Sequence, residues 1–253
     1  MERILYAGDS TVAFNKINTY PQTGMSQALP LYLKDNIQVI SFAKNGRSTR
    51  SFIAEGRLAA IEKELKKGDY LFVQFGHNDS KADEARHTDP DTDFKENLRM
   101  FAETAKACGA KAVFITPIAR RLFDENGTFK SGSHGAYPRA MKEAAKEAGV
   151  PVVDLTTVTE QYLAQVGELS AVCVAKGQHP FKIRGGRYDG RIPCRGPSGI
   201  GRSIQQPSGR GEGGAVKWTG IRRWSAALQP VIKSMGSTLY GCFWNSTGDS
   251  TTN

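Results

Sequence analysis

The sequence predicts an α/β fold in which a five-stranded parallel sheet is covered by helices on both faces. The first observation is that short apolar segments alternate strictly with amphipathic segments of helical period up to about residue 180. The second is that each short segment is apolar throughout, as expected of strands that are buried on both sides. A chain of 253 residues, of which 39% are hydrophobic, is long enough to bury a substantial core.

Taken in order, the predicted strands are short runs that end at turn residues, and they cover residues 4–7, 36–43, 69–75, 112–116 and 150–155. The third run is almost entirely apolar, which predicts a central position in the sheet. The helices are predicted over residues 25–33, 49–66, 94–108, 139–148 and 156–166. Pro30 interrupts the first helix, and we expect Gly68 to end the second and Gly149 the fourth.

Polar turns follow the first three predicted strands. Residues 8–10 read Gly-Asp-Ser, residues 45–48 read Asn-Gly-Arg-Ser, and residues 76–79 read Gly-His-Asn-Asp. The carboxyl ends of parallel strands lie along one edge of the sheet, where open α/β proteins bind their ligands. We therefore expect the three turns to form one site.

These turns supply the groups that acyl transfer requires, namely a nucleophile and hydrogen-bond donors for a developing oxyanion. Ser10 can attack, and its own N–H, the N–H of Gly46 and the side-chain amide of Asn78 can donate. Alternatively, Ser10 only caps a following helix, while Asp9 and Asp79 hold their turns by local hydrogen bonds. The residues alone leave both interpretations of Ser10 open.

Several segments, in order along the chain, resemble the SGNH (GDSL-type) hydrolases. GDS at residues 8–10, the glycine after the second strand and GHND at residues 76–79 are similar to the first three sequence blocks of that family. The segments NGRSTRSFIAEGR, ITPIARRLFDENG, HGAYPRAM and VPVVDL narrow the resemblance to the rhamnogalacturonan acetylesterase branch. The resemblance covers about residues 3–180.

The resemblance implies a flavodoxin-like three-layer α/β/α sandwich, the SGNH hydrolase fold. It also implies a serine ester hydrolase that removes O-acetyl groups from an acetylated oligo- or polysaccharide, often plant pectin, without a metal or an organic cofactor. By this resemblance Ser10 is the nucleophile that forms an acetyl-enzyme. Gly46 and Asn78 would complete the oxyanion hole.

The last sequence block of the family is Asp-x-x-His, in which the histidine is the general base and the aspartate orients it. No Asp-x-x-His follows residue 179, and none of the four histidines (His77, His87, His134 and His179) lies in such a motif. We therefore expect an esterase whose activity is impaired in this chain. The alternative is a catalytically inactive carbohydrate-binding protein with the same fold.

The composition changes near residue 180, which predicts a hydrolase domain at 1–180 and an aberrant, partly disordered segment at 181–253. Residues 180–253 hold 11 of the 34 lysines and arginines but only three of the 25 acidic residues. A shift of the reading frame by one nucleotide over residues 188–196 permits an Asp-x-x-His, so we hypothesise a frameshift. The basic charge would then say nothing about partners.

A nucleic-acid-binding arm is the third interpretation of the basic segment, but its aromatic residues do not interleave with its basic ones. We expect neither a nucleic-acid nor a membrane partner, because no segment approaches the roughly 18 apolar residues of a membrane span. The four cysteines show no CxxC spacing, and no signal peptide precedes the first strand. These features predict a cytoplasmic protein with free thiols.

Overall fold

The computed structural model of the chain describes residues 2–16, 23–33 and 36–170. Its centre is a five-stranded sheet of order β2-β1-β3-β4-β5, in which every neighbouring pair is parallel. The strands are β1 (Glu2–Gly8), β2 (Ile37–Ser41), β3 (Tyr70–Gln74), β4 (Lys111–Ile115) and β5 (Val152–Val153). This is the flavodoxin-like strand order, so the predicted fold class is confirmed.

The third strand has the predicted central position, with β1 on one side and β4 on the other, and all five of its residues are buried. The fifth strand is shorter than predicted, since only Val152 and Val153 pair with β4. The N–H of Val150 donates instead to the carbonyl of Ala145 (2.9 Å), and Pro151 has no N–H to offer. Local hydrogen bonding therefore removes the first part of the predicted strand.

The described residues form six α-helices that connect or follow the strands: α1 (Met25–Ala28), α2 (Thr49–Ala54), α3 (Arg57–Glu64), α4 (Asp93–Ala107), α5 (Tyr137–Ala148) and α6 (Leu155–Ser170). A 3₁₀ turn at Leu29–Tyr32 continues α1, with Pro30 in its first turn.

The prediction of a single helix over residues 49–66 is wrong. Gly56 has a left-handed φ of 71°, which ends α2 and starts α3 in a new direction. The predicted helix end at Gly68 is also wrong, because the backbone already becomes extended at Leu65. Gly149 does end α5 in the left-handed conformation, as predicted.

Side chains of successive strand residues enter two separate cores, one on each face of the sheet. On one face Leu5 and Leu71 pack with residues of α2, α3, α4 and α5, including Phe52 and Phe101. On the other face the neighbouring residues of the same strands pack against α1 and α6 (Ile4, Tyr6, Tyr70 and Phe72). The two cores explain why successive residues are apolar within β1 and β3, at residues 4–7 and 70–73.

None of the helices in the described part of the chain is long and apolar enough to span a membrane. Cys108 is a half-buried free thiol, whereas Cys173, Cys194 and Cys242 lie outside the described residues. The predicted segment at 181–253, its frameshift and His179 also lie outside them.

Candidate active site

The turn after β1 is held by Asp9. Its carboxylate oxygen Oδ1 accepts hydrogen bonds from the N–H and the hydroxyl of Thr11, both at 2.8 Å. Its backbone carbonyl accepts from the N–H groups of Val12 (3.1 Å) and Ala13 (2.9 Å). Gly8 makes this closure possible, because a Cβ at that position would lie 2.6 Å from Cγ2 of Val12.

Ser10 lies at the start of this single turn, half-buried. The first helix that the structure describes begins at Met25, so the interpretation of Ser10 as a cap of the helix that follows it is wrong. Neither its hydroxyl nor its N–H has a hydrogen-bond partner among the described residues. The side chain and the backbone donor are therefore both available to a ligand.

The turn after β2 is joined to the end of β1 by the N–H of Lys44, which donates to the carbonyl of Gly8 (3.0 Å). Gly46 follows with a φ of 78°, which other residues rarely adopt. A Cβ at Gly46 would meet no atom within 4 Å, so the space beside it is open. Its N–H donates to no described residue.

Asn78 connects the three turns. It follows β3, is buried, and donates from Nδ2 to Oδ2 of Asp9 (3.2 Å) and to the carbonyl of Arg47 (3.0 Å). Asp9 precedes Ser10 and Arg47 follows Gly46, so the structure brings the predicted site residues to one edge of the sheet. Both hydrogens of the Asn78 amide are engaged in this arrangement.

Asp79 anchors the turn that carries Asn78, and it is fully buried. Its Oδ1 accepts from the N–H (2.9 Å) and the hydroxyl (2.5 Å) of Thr49 and from the hydroxyl of Thr88 (3.2 Å). Its Oδ2 accepts from the N–H of Gly76 (3.0 Å). The predicted turn-holding roles of Asp9 and Asp79 are confirmed, and Asp79 also ties its turn to the first residue of α2.

Burial shifts the pKa of both aspartates upward. Loss of water raises the pKa of Asp9 to about 6, and the charge of Asp79 adds to this effect. Burial also raises the pKa of Asp79, although the hydrogen bonds from Thr49 and Gly76 oppose the shift. The charged forms are thus stabilised by the turns but destabilised by the core.

A buried pair of histidines lies beside this edge and was not predicted. Nδ1 of His77 lies 3.0 Å from Nε2 of His134, whose Nδ1 lies 3.1 Å from the hydroxyl of Ser133. Burial lowers the pKa of His77 to about 4 and that of His134 to about 3, and the charge of Arg120 contributes to both shifts. Both rings are therefore neutral at neutral pH. The only sequence signal was that each histidine lies in a Gly-rich motif.

Arg47 and Arg50, which follow Gly46, are neutralised by carboxylates at the surface. Arg47 pairs with Glu55 (2.7 Å) and Arg50 with Asp93 (2.6 Å), which supports their interpretation as surface arginines. His87 is exposed, with its Nδ1 3.1 Å from the carbonyl of Lys81.

A groove of about 1080 Å³ lies between α4, α5 and the beginnings of β3 and β4, at the opposite end of the strands from Ser10. It has no part in the arrangement of the three turns.

Comparisons with known proteins identify the family of the chain. The model of the GDSL-like lipase/acylhydrolase family matches residues 6–174. The chain is 41% identical over 182 residues to the rhamnogalacturonan acetylesterase RhgT of Bacillus subtilis (strain 168), which covers 70% of this chain and 77% of RhgT. It is also 41% identical over 166 residues to the probable rhamnogalacturonan acetylesterase YesY of the same organism, which covers 65% of this chain and 75% of YesY.

Among solved structures, the chain resembles the protein YxiM of Bacillus subtilis, with a TM-score of 0.62 and 29% identity over 71% of this chain. The match spans about half of the YxiM structure, namely 51% of its length.

Proposed function

The chain belongs to the GDSL-like lipase/acylhydrolase family, and we propose that within it the protein is a carbohydrate O-acetylesterase with Ser10 as its nucleophile. One observation carries the proposal: the hydroxyl of Ser10 and the backbone N–H groups of Ser10 and Gly46, which lie in neighbouring turns, form no hydrogen bond with any described residue. Such donors stabilise a developing oxyanion. The names of the relatives RhgT and YesY support an acetylated saccharide of the rhamnogalacturonan type as the substrate.

In the proposed reaction, the hydroxyl oxygen of Ser10 attacks the carbonyl carbon of the acetyl ester. The carbonyl oxygen becomes an oxyanion and accepts hydrogen bonds from the N–H groups of Ser10 and Gly46. Asn78 is the third donor, and for this one hydrogen of its amide turns away from Asp9. The hydrogen bond to Asp9 is the longer of the two that the amide donates, at 3.2 Å. The tetrahedral intermediate then releases the sugar hydroxyl, and water hydrolyses the acetyl-Ser10 ester.

The proton of Ser10 must pass to a base during the attack, and no described histidine hydrogen-bonds to Ser10. His77 and His134 pair with each other, and their lowered pKa values make them weak bases. We therefore propose that the chain is a slow esterase, since a general base contributes about 10²–10⁴-fold to such reactions. Without that base, hydroxide takes the proton of Ser10 and water returns a proton to the departing sugar oxygen. The rate therefore rises steadily with pH and shows no plateau above the ordinary pKa of histidine.

The test is release of acetate from an O-acetylated rhamnogalacturonan oligosaccharide by the full chain, followed across pH. Ser10→Ala is expected to abolish release, whereas Ser131→Ala, an exposed serine in the loop before α5, leaves it unchanged. Acetate release that survives in Ser10→Ala would contradict the proposed nucleophile. A plateau near pH 7 would show that a general base acts and would contradict the slow mechanism.

The second candidate is an inactive carbohydrate-binding protein, which the mutual pairing of His77 and His134 favours. Binding of the oligosaccharide with no acetate release at any pH would select it. The cytoplasmic location stays a prediction.

A further inference from the structure

Arg120 lacks the ion pair that most arginines in the described part of the chain form. Seven arginines lie within 4 Å of a carboxylate: Arg3, Arg47, Arg50, Arg57, Arg86, Arg99 and Arg139. Arg120 contacts only neutral oxygen atoms, since its Nη2 donates to the carbonyl of His77 (2.9 Å) and to the hydroxyl of Ser80 (3.3 Å). No carboxylate of the described residues lies within 4 Å of it, and the charge of Asp9, which raises its pKa, acts from farther away.

The guanidinium of Arg120 is also incompletely hydrogen-bonded. It carries five N–H groups, of which only the two on Nη2 have partners among the described residues. Nε is buried and unpaired, and burial lowers the pKa of the side chain. A partly buried cation with unpaired donors is unfavourable, and such groups are frequently found where a ligand completes the hydrogen bonding.

Arg120 lies beside the candidate active site. The carbonyl that it contacts belongs to His77, the residue before Asn78. Its backbone N–H donates to the hydroxyl of Ser133 (3.1 Å), which fixes the start of the side chain next to the histidine pair. The guanidinium therefore contacts the peptide group that joins His77 to Asn78.

Lys81 adds a second positive charge on the same side. Its N–H donates to the carbonyl of Asn78 (3.1 Å), so it lies in the turn after Asn78. Its half-buried ammonium group forms no ion pair within the described part of the chain. The charges of Arg120 and Lys81 both lower the pKa of His77, so both cations lie near that residue.

We propose that Arg120 and Lys81 form an anion-binding corner that recognises a carboxylate of the saccharide, that is, the carboxylate of a uronic acid residue. This inference rests on the proposed function. A carboxylate is the anion that suits the two cations, because a guanidinium and an ammonium can both donate to its oxygens. A neutral saccharide would leave both cations with only the longer-range charges of Asp9 and, for Lys81, Asp83 to offset them.

Arg47 and Arg120 differ in whether a carboxylate pairs with them. Arg47 lies next to Gly46 and would be placed as well as Arg120 to meet a substrate, but Glu55 already neutralises it at 2.7 Å. Arg120, unlike Arg47, is therefore not paired with a carboxylate and can form an ion pair with a ligand.

The test uses the full chain and two trisaccharides that carry no acetyl ester, so that binding is measured without turnover. Isothermal titration compares trigalacturonate with neutral galactotriose, at low and at high salt. We expect trigalacturonate to bind about tenfold more tightly, as one charge-assisted contact allows, and the difference to shrink at high salt. Adding Arg120→Gln or Lys81→Gln should reduce the preference, and the pair together should abolish it.

The matched control is Arg99→Gln, an exposed arginine on α4 that pairs with Glu96 and Glu103; it should keep the preference. Equal affinity for the two trisaccharides, a preference that survives Arg120→Gln with Lys81→Gln, or no binding of trigalacturonate would overturn the inference.

If Arg120 only supports the turn of His77, its variant weakens both trisaccharides equally and lowers the melting temperature, which would also overturn the inference. Acetate release by the unmodified chain is measured separately, so failure of the esterase proposal is distinguishable from failure of this one.

Discussion

Replacing Asp79 by Asn tests whether its hydrogen bonds hold the turn that carries Asn78. The carboxylate accepts from the backbone N–H of Thr49 on one oxygen and from that of Gly76 on the other, at 2.9 and 3.0 Å. Asparagine has a single acceptor oxygen. In either orientation its NH₂ group faces one of these buried N–H groups, which then loses its only acceptor.

The magnitude follows from that lost bond. A buried donor left without an acceptor costs about 1–3 kcal/mol. The substitution also removes a buried charge, whose pKa is raised by burial, so part of this loss is offset. We expect Asp79→Asn to lower the free energy of unfolding by about 1–3 kcal/mol, with a lower midpoint in urea and an unchanged slope.

The control is Asp83→Asn, which removes an exposed partner of Arg86 and should leave the urea midpoint unchanged. A change below about 0.5 kcal/mol in Asp79→Asn, the size of an ordinary surface substitution, would refute the reasoning that these bonds hold the turn.

Two further predictions concern the neighbouring turns. Gly46→Ala should lower the free energy of unfolding by about 1–2 kcal/mol, because its φ of 78° is left-handed, and no steric clash adds to this; an unchanged urea midpoint would argue against it. Asp9 has a pKa of about 6 in the folded chain, against 3.8 when it is unperturbed. Its contribution to stability is therefore complete below about pH 4 and is lost as the pH rises through about 6. The stability of the unmodified chain relative to Asp9→Asn should fall by about 3 kcal/mol across that range, as measured by urea unfolding at several pH values; a pH-independent difference would contradict the burial of the charge.

The sheet could be predicted from the sequence because its strands are buried on both faces. Leu5 and Tyr6 enter different cores, so β1 is apolar at each of residues 4–7, and that pattern is visible without a structure. The break between α2 and α3 was missed, because the apolar residues keep helical spacing across it. Only the left-handed conformation of Gly56 marks the break, and a glycine within a helical pattern does not by itself reveal its φ.

The candidate site was predicted in part for a similar reason. Ser10, Gly46 and Asn78 follow three strands that are adjacent in the sheet, and the carboxyl ends of adjacent parallel strands necessarily meet. The contact between His77 and His134 joins residues that are 57 positions apart in the chain. It depends on the path of the loop before α5, for which the sequence has no periodic signal. Likewise, composition cannot reveal that no carboxylate of the described residues lies within 4 Å of Arg120, because this depends on which residues are neighbours in the fold.

The central claim is that Ser10 is the nucleophile, and covalent labelling tests it most directly. The full chain is incubated with a fluorophosphonate at alkaline pH, where the serine depends least on a general base, and the modified peptide is mapped by mass spectrometry. The account predicts one adduct, on Ser10, that forms faster as the pH rises and is absent in Ser10→Ala. No adduct, or an adduct on another serine that persists in Ser10→Ala, would contradict it.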